Sequence, residues 1–528
     1  MTANAPSHAD VVVVGGGHNG LTAAAYLARA GYSVVVLERQ DHVGGAAVSA
    51  HAFEGVDAKL SRYSYLVSLL PEEIRTDLGL TIPLIRRRYS SYTPVPGSRT
   101  GLLIDSGDPA RTKQSFADIG ADDDYPRWVD FYRAIGVFAR TMFPLMTEPL
   151  LDRDTIRTHL QLAAPAERLY ERFIDTPIET LVHETFRSDI VRGVVLTDSL
   201  IGTFPEMHDD PVTSICFLYH VIGGTTGDWD VPVGGMGTVS SELERVARDS
   251  GVTILTDAEV TGISTEPAVT FRHDGSVQTI QTRLVISGAS RTTLHQLTGT
   301  SPDAPAVEGC QVKVNLLLSR LPALRDPSVT TEEAFSGTFH INESASQLEA
   351  SIAQARSGVI PESIPCEIYC HSLSDPSILG PDLQDSGAHT MTVFALNAPH
   401  RLIAGMDAGQ AREMLQEKVL ASLNGVLAEP IEDCVMSDAQ GKPCIETKTT
   451  ADLEHTLGLP GGNIFHEPLQ WPFVEDPRTL LDPASKWGVQ SGVPHVLLGG
   501  ASARRGGGVS GIAGHNAAMA ALEILGGP

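Results

Sequence analysis

The segment from Asp10 to Ala47, DVVVVGGGHNGLTAAAYLARAGYSVVVLERQDHVGGAA, constrains the fold more than any other part of the chain. Four β-branched residues, Val11 to Val14, read as a strand buried on both faces of a parallel sheet. Gly15, Gly17 and Gly20 follow in the spacing G-x-G-x-x-G. Small residues from Leu21 to Ala30 then predict a helix, and Ser33 to Leu37 a second buried strand ending at Glu38. This is the order of a dinucleotide-binding strand–turn–helix–strand unit. Gly15 permits the tight turn, Gly17 lets a pyrophosphate approach the backbone, and Gly20 lets the helix pack on the strand. The helix N-terminus presents free amides and a positive dipole end to phosphate, and His18 tightens the phosphate loop. Glu38 lies 18 residues after Gly20, where a carboxylate accepts hydrogen bonds from an adenosine ribose and disfavours a 2′-phosphate.

With 528 residues the chain exceeds what one hydrophobic core serves, so two or more domains are expected. A net charge of −26 argues against nucleic acid and against docking on anionic lipid by charge, while leaving peripheral membrane contact through an apolar patch open. The six cysteines form no C-x-x-C, which suits reduced thiols in a cytoplasmic protein and argues against a disulfide-type flavin reductase. The first ten residues lack the basic start and apolar core of a secretory signal and read as a short loose tail. No stretch approaches the roughly 18–20 apolar residues of a membrane-spanning helix.

The nucleotide-domain pattern is interrupted and returns. Residues 1–65 form its first part and 230–300 its second, the latter with the loop Gly234-Gly235-Met236-Gly237, a helix over 238–249 and strands around 253–255 and 260–263. Residues 461–528 form the third, where Val496 to Leu498 leads into a glycine loop and a small-residue helix over about 510–525. Between them lie two substrate-domain inserts, 66–229 and 301–460. In the first, Pro71 opens a helix toward Leu78. The segments 125–145 and 164–186 carry apolar residues at helical spacing, with aromatics that either fill core or line a pocket. Arg86-Arg87-Arg88 reads as a solvated or ion-paired face, with anion binding as the alternative.

The motifs GGGHNGLTAAAYLARAG, GGAAVSAHAFEGVDAKLSRYSYLVSLLPEEI, VPVGGMG, GGNIFHEPL and GGAS…GGGVSG…GHNAA resemble those of the phytoene-desaturase-type FAD oxidoreductases, near the amine oxidases and the GDP-dissociation-inhibitor fold. Within that group they are most similar to the pyridine nucleotide-disulfide oxidoreductase domain-containing protein 2 branch. The resemblance implies an α/β chain with a Rossmann-like FAD domain and an interleaved α+β substrate domain. It implies FAD against Gly15, Gly17, His18, Asn19 and Gly20, with its ribose at Glu38 and Arg39. Gly44, Gly45 and Ala46 would run along the cofactor, Val260 would meet the adenine, Gly500 and Ala501 the ribitol phosphate, and Gly508, Val509 and Ser510 the pyrimidine edge of the flavin. Arg504 and Arg505 replace a His-Pro common in the family, and Arg504 is expected either to pair with an anion or reduced flavin or to be a surface group.

Flavin accepts a hydride, so the protein must hold a C–H and manage a proton. His466, framed by Gly461-Gly462 and Phe465, is the first candidate acid or base; Glu467, His515 and His220 are others. A structural His466 making one backbone hydrogen bond is the competing reading. His515 and Asn516 are placed for contact with the flavin edge, and Trp471 and Phe473 for a cavity wall or core. No metal-ligand spacing stands out, and no metal is assigned. The expected activity is an FAD-dependent dehydrogenase or desaturase acting on a lipophilic, isoprenoid-like small molecule, with oxygen or a quinone as electron acceptor. A flavin amine oxidase, a redox-neutral isomerase and a non-catalytic FAD-fold interaction protein are the alternatives. Self-association into a homo-oligomer is left open.

Overall fold

In the computed structural model, which describes residues 6–301 and 307–526, the opening valine run is the central strand of a five-stranded parallel sheet. Val11–Val14 lies between Val34–Leu37 and Leu284–Ser287, with Thr253–Leu255 and Val496–Leu498 at the two edges. Every residue of the three inner strands is buried, as continuous apolar runs covered by helices on both faces require. The helix His18–Arg29 packs against Gly237–Asp249 and the C-terminal helix Ile512–Leu525. This sheet is therefore assembled from three stretches of chain far apart in sequence. A three-stranded antiparallel sheet, Glu259–Ile263, Ala268–His273 and Ser276–Gln281, turns at Asp274-Gly275 beside it.

The intervening chain builds a seven-stranded mixed sheet and a helical layer. The sheet runs in the order Ile445–Lys448, Val312–Leu318, His389–Ala395, Cys366–Tyr369, Thr338–Ile341, Tyr89–Pro94, Gly101–Asp105. Only the Thr338–Ile341 and Tyr89–Pro94 pairing is parallel. The 19-residue helix Ala408–Val426 packs on this sheet. Helices including Tyr125–Met142, Asp189–Thr197 and Pro211–Val221 form the layer beside it. Val312–Leu318 brings Lys313 against the nucleotide-binding part, where its amine donates to the carbonyls of Ser61 and Ser64. Among the described residues no helix is long and apolar enough to cross a membrane.

Some local expectations are corrected. The periodic segment 164–186 is not one helix. A short π-helical turn, Glu171–Asp175, ends at Thr176, and Pro177 caps a separate helix, Ile178–Thr185. Pro177 has no N–H to continue the ladder and biases Thr176 toward extended backbone. Pro71 is likewise the residue before its helix, not the first within it. The C-terminal helix starts at Ile512, because Gly511 at φ 73° breaks the helical path. The tail read as loose is tied down from Ser7: the Gln281 amide donates to Ser7 and the Ala9 amide to Gln281. Residues 1–5 lie outside the described residues.

Candidate active site

Where the two sheets meet, a cavity of about 610 Å³ runs from the glycine loop to the second sheet. Gly15, Gly17, His18, Asn19 and Gly20 line one end. An ideal Cβ built on Gly17 would have only Gly45 Cα, at 4.0 Å, within contact range, so the space before this residue is open. One built on Gly20 would lie 2.2 Å from the Gly15 carbonyl oxygen, so the helix sits on the strand at a distance only glycine allows. The helix has no side-chain cap, leaving its first-turn amides for a ligand. Asn19 Oδ1 is buried there without a hydrogen-bond partner. An open glycine face, unfilled helix amides and an orphaned polar atom together fit a pyrophosphate.

Glu38 lines the same cavity with its carboxylate held by two backbone donors, Gly16 N to Oε2 at 2.7 Å and Gln40 N to Oε1 at 2.8 Å. Arg39 also lines it while donating to the Thr456 carbonyl at 2.8 Å. Gly45, Ala46 and Val260 continue this wall, and Gly500, Ala501, Gly508 and Val509 form the opposite one. His18 does not tighten its own loop; its Nε2 lies 3.1 Å from the Gly508 carbonyl, tying the N-terminal loop to the C-terminal one.

Two of the expected cofactor residues do not line the cavity. Gly44 faces inward, where a Cβ would meet Val48 at 2.7 Å and Ser240 at 3.1 Å, and its amide donates to Gly16. Ser510 is buried and turns its hydroxyl to accept from the Ile512 amide, ordering the helix start instead of reaching a ligand. Conversely, Gly288, Ala289 and Ser290 line it although they were not among the expected cofactor residues. Ser290 caps the helix Arg291–Thr298 through the Thr293 amide, and a strand followed by Gly-Ala-Ser and a helix is the signal that could have found them.

The cavity also carries groups suited to chemistry. His466 lines it in a left-handed backbone conformation, φ 62°, with Nδ1 3.5 Å from Ser502 Oγ. Burial and the nearby His18 hold its imidazole down to about 4, so it is neutral at neutral pH. His220 also lines the cavity; it stacks on Trp229, bonds the Cys216 carbonyl, and is held down to about 4 by burial. Lys313, which sequence reasoning missed, is a buried titratable cation on the cavity wall. It is 4 % exposed, its ammonium lies 5.4 Å from the Tyr65 ring centroid, and burial pushes it down to about 7 against the pull of Glu446. It sits in an alternating run, VKVNLLL, that reads as an ordinary strand; only the fold turns Lys313 inward.

Other expectations fall outside the cavity. Arg504 does not reach it: its guanidinium donates to the carbonyls of Trp471 and Phe473, at 3.3 and 2.8 Å. Arg505 is fully buried on the carbonyls of Leu145, Glu148 and Trp487. Trp471 and Phe473 stack on one another away from the cavity. His515 bonds Asn516 and packs edge-on against Tyr26 and Trp487, while Asn516 donates to the Met146 carbonyl, so both are helix-packing groups. Glu467 is half-buried and not on the wall. All six cysteines are free and buried.

A second cavity of about 430 Å³ adjoins the first and shares Tyr65, Leu66, His220 and Trp229 with it. Tyr125, Trp128 and Tyr132 from the aromatic helix line it, whereas Phe131 and Phe138 of the same helix are core. The arginine run divides here. Arg86 pairs with Asp228 and Asp230, Arg88 with Asp105, and Arg87 is drawn into the wall, donating to the Trp229 carbonyl and Thr338 Oγ1.

Residues 13–71 match the NAD(P)-binding Rossmann-like domain model. An uncharacterised protein of Mycobacterium tuberculosis is 50 % identical over 525 residues, 98 % of this chain and 97 % of the other. The pyridine nucleotide-disulfide oxidoreductase domain-containing protein 2 of Mus musculus is 30 % identical over 577 residues, 98 % and 94 % of the two chains. Among solved structures, a putrescine oxidase variant shares the fold with a TM-score of 0.57 at 16 % identity, covering 98 % and 99 %. The chain belongs to the pyridine nucleotide-disulfide oxidoreductase domain-containing protein 2 family and is an FAD-dependent oxidoreductase that shares the amine oxidase fold.

Proposed function

We propose that the chain is an FAD-dependent dehydrogenase that oxidises a largely apolar small molecule at the junction of its two cavities. The observation that carries this reading is the junction itself: Tyr65, Leu66, His220 and Trp229 belong to both cavities, and the buried Lys313 amine lies on the first. The glycine loop, Glu38 and Val260 would hold the adenine dinucleotide half of FAD, and Gly500, Ala501, Gly508 and Val509 the flavin half. Bound FAD supplies a two-electron acceptor that takes a hydride.

The protein's own part is to orient a C–H and remove a proton. Tyr65, Leu66, Ile201 and Phe394 give that region apolar walls that exclude water. Lys313, held near neutrality, takes the proton that must leave when hydride loss creates a double bond. His466 and His220, both neutral, position polar groups by accepting or donating one hydrogen bond. Oxygen or a quinone would reoxidise the cofactor. Amine oxidation is the second reading, favoured by the aromatic rings and carboxyl groups that line the second cavity.

The test is anaerobic mixing of the FAD-loaded protein with a panel of lipophilic alcohols, polyenes and amines. Bleaching of the flavin absorbance by at least one class is the expected result. Bleaching by amines alone selects the second reading, and no bleaching by any class overturns the assignment of an oxidisable C–H to the junction.

A further inference from the structure

The second cavity is acidic where the proposed reaction needs nothing acidic. Asp198 lines it, and among the described residues its carboxyl group has no hydrogen-bond or ion-pair partner. Glu367, 4 % exposed, lines the same wall, with one oxygen accepting from Tyr369 at 2.5 Å. Behind it Glu343, 1 % exposed, bonds His340 through Oε2 at 2.6 Å and leaves Oε1 buried without a partner. Three carboxyl groups thus face two bases, His340 and Arg87, and Arg87 is already committed to the Trp229 carbonyl, to Thr338 and to the face of Tyr369, 5.7 Å from its centroid. Arg86, also on the wall, is neutralised by Asp228 at 2.6 Å and Asp230 at 3.3 Å.

Asp198 is half-buried and unpartnered on the wall, and Glu343 Oε1 is fully buried and unpartnered behind it; carboxylates so removed from water are costly, so this wall either holds protons or meets a cation. Burial accordingly pushes Asp198 up to about 7, with Glu343 adding to the effect and His340 opposing it. Around the carboxyl groups stand Trp128, Tyr132 and Trp229, aromatic rings whose faces attract a cation. Carboxylates within an aromatic enclosure form the donor set for an organic ammonium, which offers N–H donors to the acids and apolar carbon to the rings.

We propose that the second cavity receives a protonated amine carried by the substrate, with Asp198 and Glu367 as its acceptors. The inference rests on the reading above, in which the same molecule is oxidised at the shared wall. It names the class: a molecule with an apolar body across the junction and an ammonium group away from the oxidised C–H. Asp198 and Glu367 are specificity-determining groups in this arrangement and take no part in the hydride step.

The test titrates the FAD-loaded protein with hexylammonium and with 1-hexanol, following tryptophan fluorescence and the flavin difference spectrum, for the wild type, Asp198→Asn and Glu367→Gln. The expected result is that hexylammonium binds at least ~10-fold more tightly than hexanol, and that either substitution removes this preference while leaving hexanol binding unchanged. Equal binding of the two probes, or a preference unchanged in both variants, overturns the proposal. So does retention of Zn²⁺ or Mn²⁺ at His340, Glu343 and Glu367, whose ligand atoms lie within 4.8 Å of one another, if hexylammonium does not compete with it. Ammonium binding without bleaching by any compound would sink the dehydrogenase reading alone; bleaching by neutral compounds without ammonium binding would sink this inference alone.

Discussion

Gly17 caps the first helix and Gly20 lies three residues on in its first turn, yet the structure predicts opposite causes for the defects of their alanine variants. Gly20→Ala would place a methyl carbon 2.2 Å from the Gly15 carbonyl oxygen and 3.2 Å from Val13 Cγ1. Neither neighbour can yield, since one is backbone and the other belongs to the central strand. The helix must shift by about 1 Å, at a cost of about 3 kcal/mol by the usual penalty for overpacking. Gly17→Ala meets no such obstacle: its φ of −70° suits any residue, and only Gly45 Cα at 4.0 Å lies within range of the new methyl. Its cost to the fold is about 1 kcal/mol or less, the loss of a tolerable N-cap residue. The methyl instead occupies the approach to the helix amides. Losing two hydrogen bonds to a charged pyrophosphate, each worth about 1.5–3 kcal/mol, weakens FAD at least ~100-fold. Thermal unfolding of the cofactor-free proteins and FAD titration of each separate the two effects. An unfolding midpoint several degrees lower for Gly20→Ala, with Gly17→Ala near the wild type but defective in FAD binding, is expected. Wild-type FAD affinity in Gly17→Ala, or equal destabilisation of both, refutes the reasoning.

Lys313→Met should lower the rate of flavin reduction ~100-fold or more and abolish a rise of that rate with pH through about 7, measured by stopped-flow absorbance. A buried lysine whose folded value lies below its unfolded one weakens the native state most below pH 7 and not at all above its unfolded value, so the unfolding temperature of the wild type should rise relative to that of Lys313→Met as pH increases from about 7 toward about 10, whatever the variant loses by leaving the Ser61 and Ser64 carbonyls without their donor. Arg505→Met leaves the carbonyls of Leu145, Glu148 and Trp487 without their donor and should cost about 3 kcal/mol in denaturant unfolding. Arg504→Gln, by contrast, should leave FAD affinity and flavin potential unchanged, because its guanidinium contacts only carbonyls remote from the cavity.

The parts of the site that could be read from sequence are those in which the backbone itself is the binding group. Gly15, Gly17 and Gly20 and the Glu38 after the second strand are fixed by local spacing, and each lines the cavity. Gly44 and Ser510 belong to the same motifs but face protein, since alternate residues of a tight loop point in opposite directions. Of the two arginines in place of His-Pro, Arg504 was read as an anion or flavin contact or else a surface group, because a cation beside a glycine loop suggests an anion. Both arginines serve instead as donors to loop carbonyls, which a long guanidinium can gather from several segments at once. Lys313, Asp198 and Trp229 escaped notice for the converse reason. Each sits in a locally unremarked strand, helix end or loop, and only strand pairings and packing across more than 100 residues of chain bring them to one cavity.

The most direct measurement is the flavin content of the purified protein. Denaturation should release one FAD per chain, and the cofactor-free protein should regain flavin absorbance when FAD is added, with NADP failing to compete because Glu38 opposes a 2′-phosphate. A colourless protein that neither releases nor takes up FAD would contradict the assignment of FAD to the cavity.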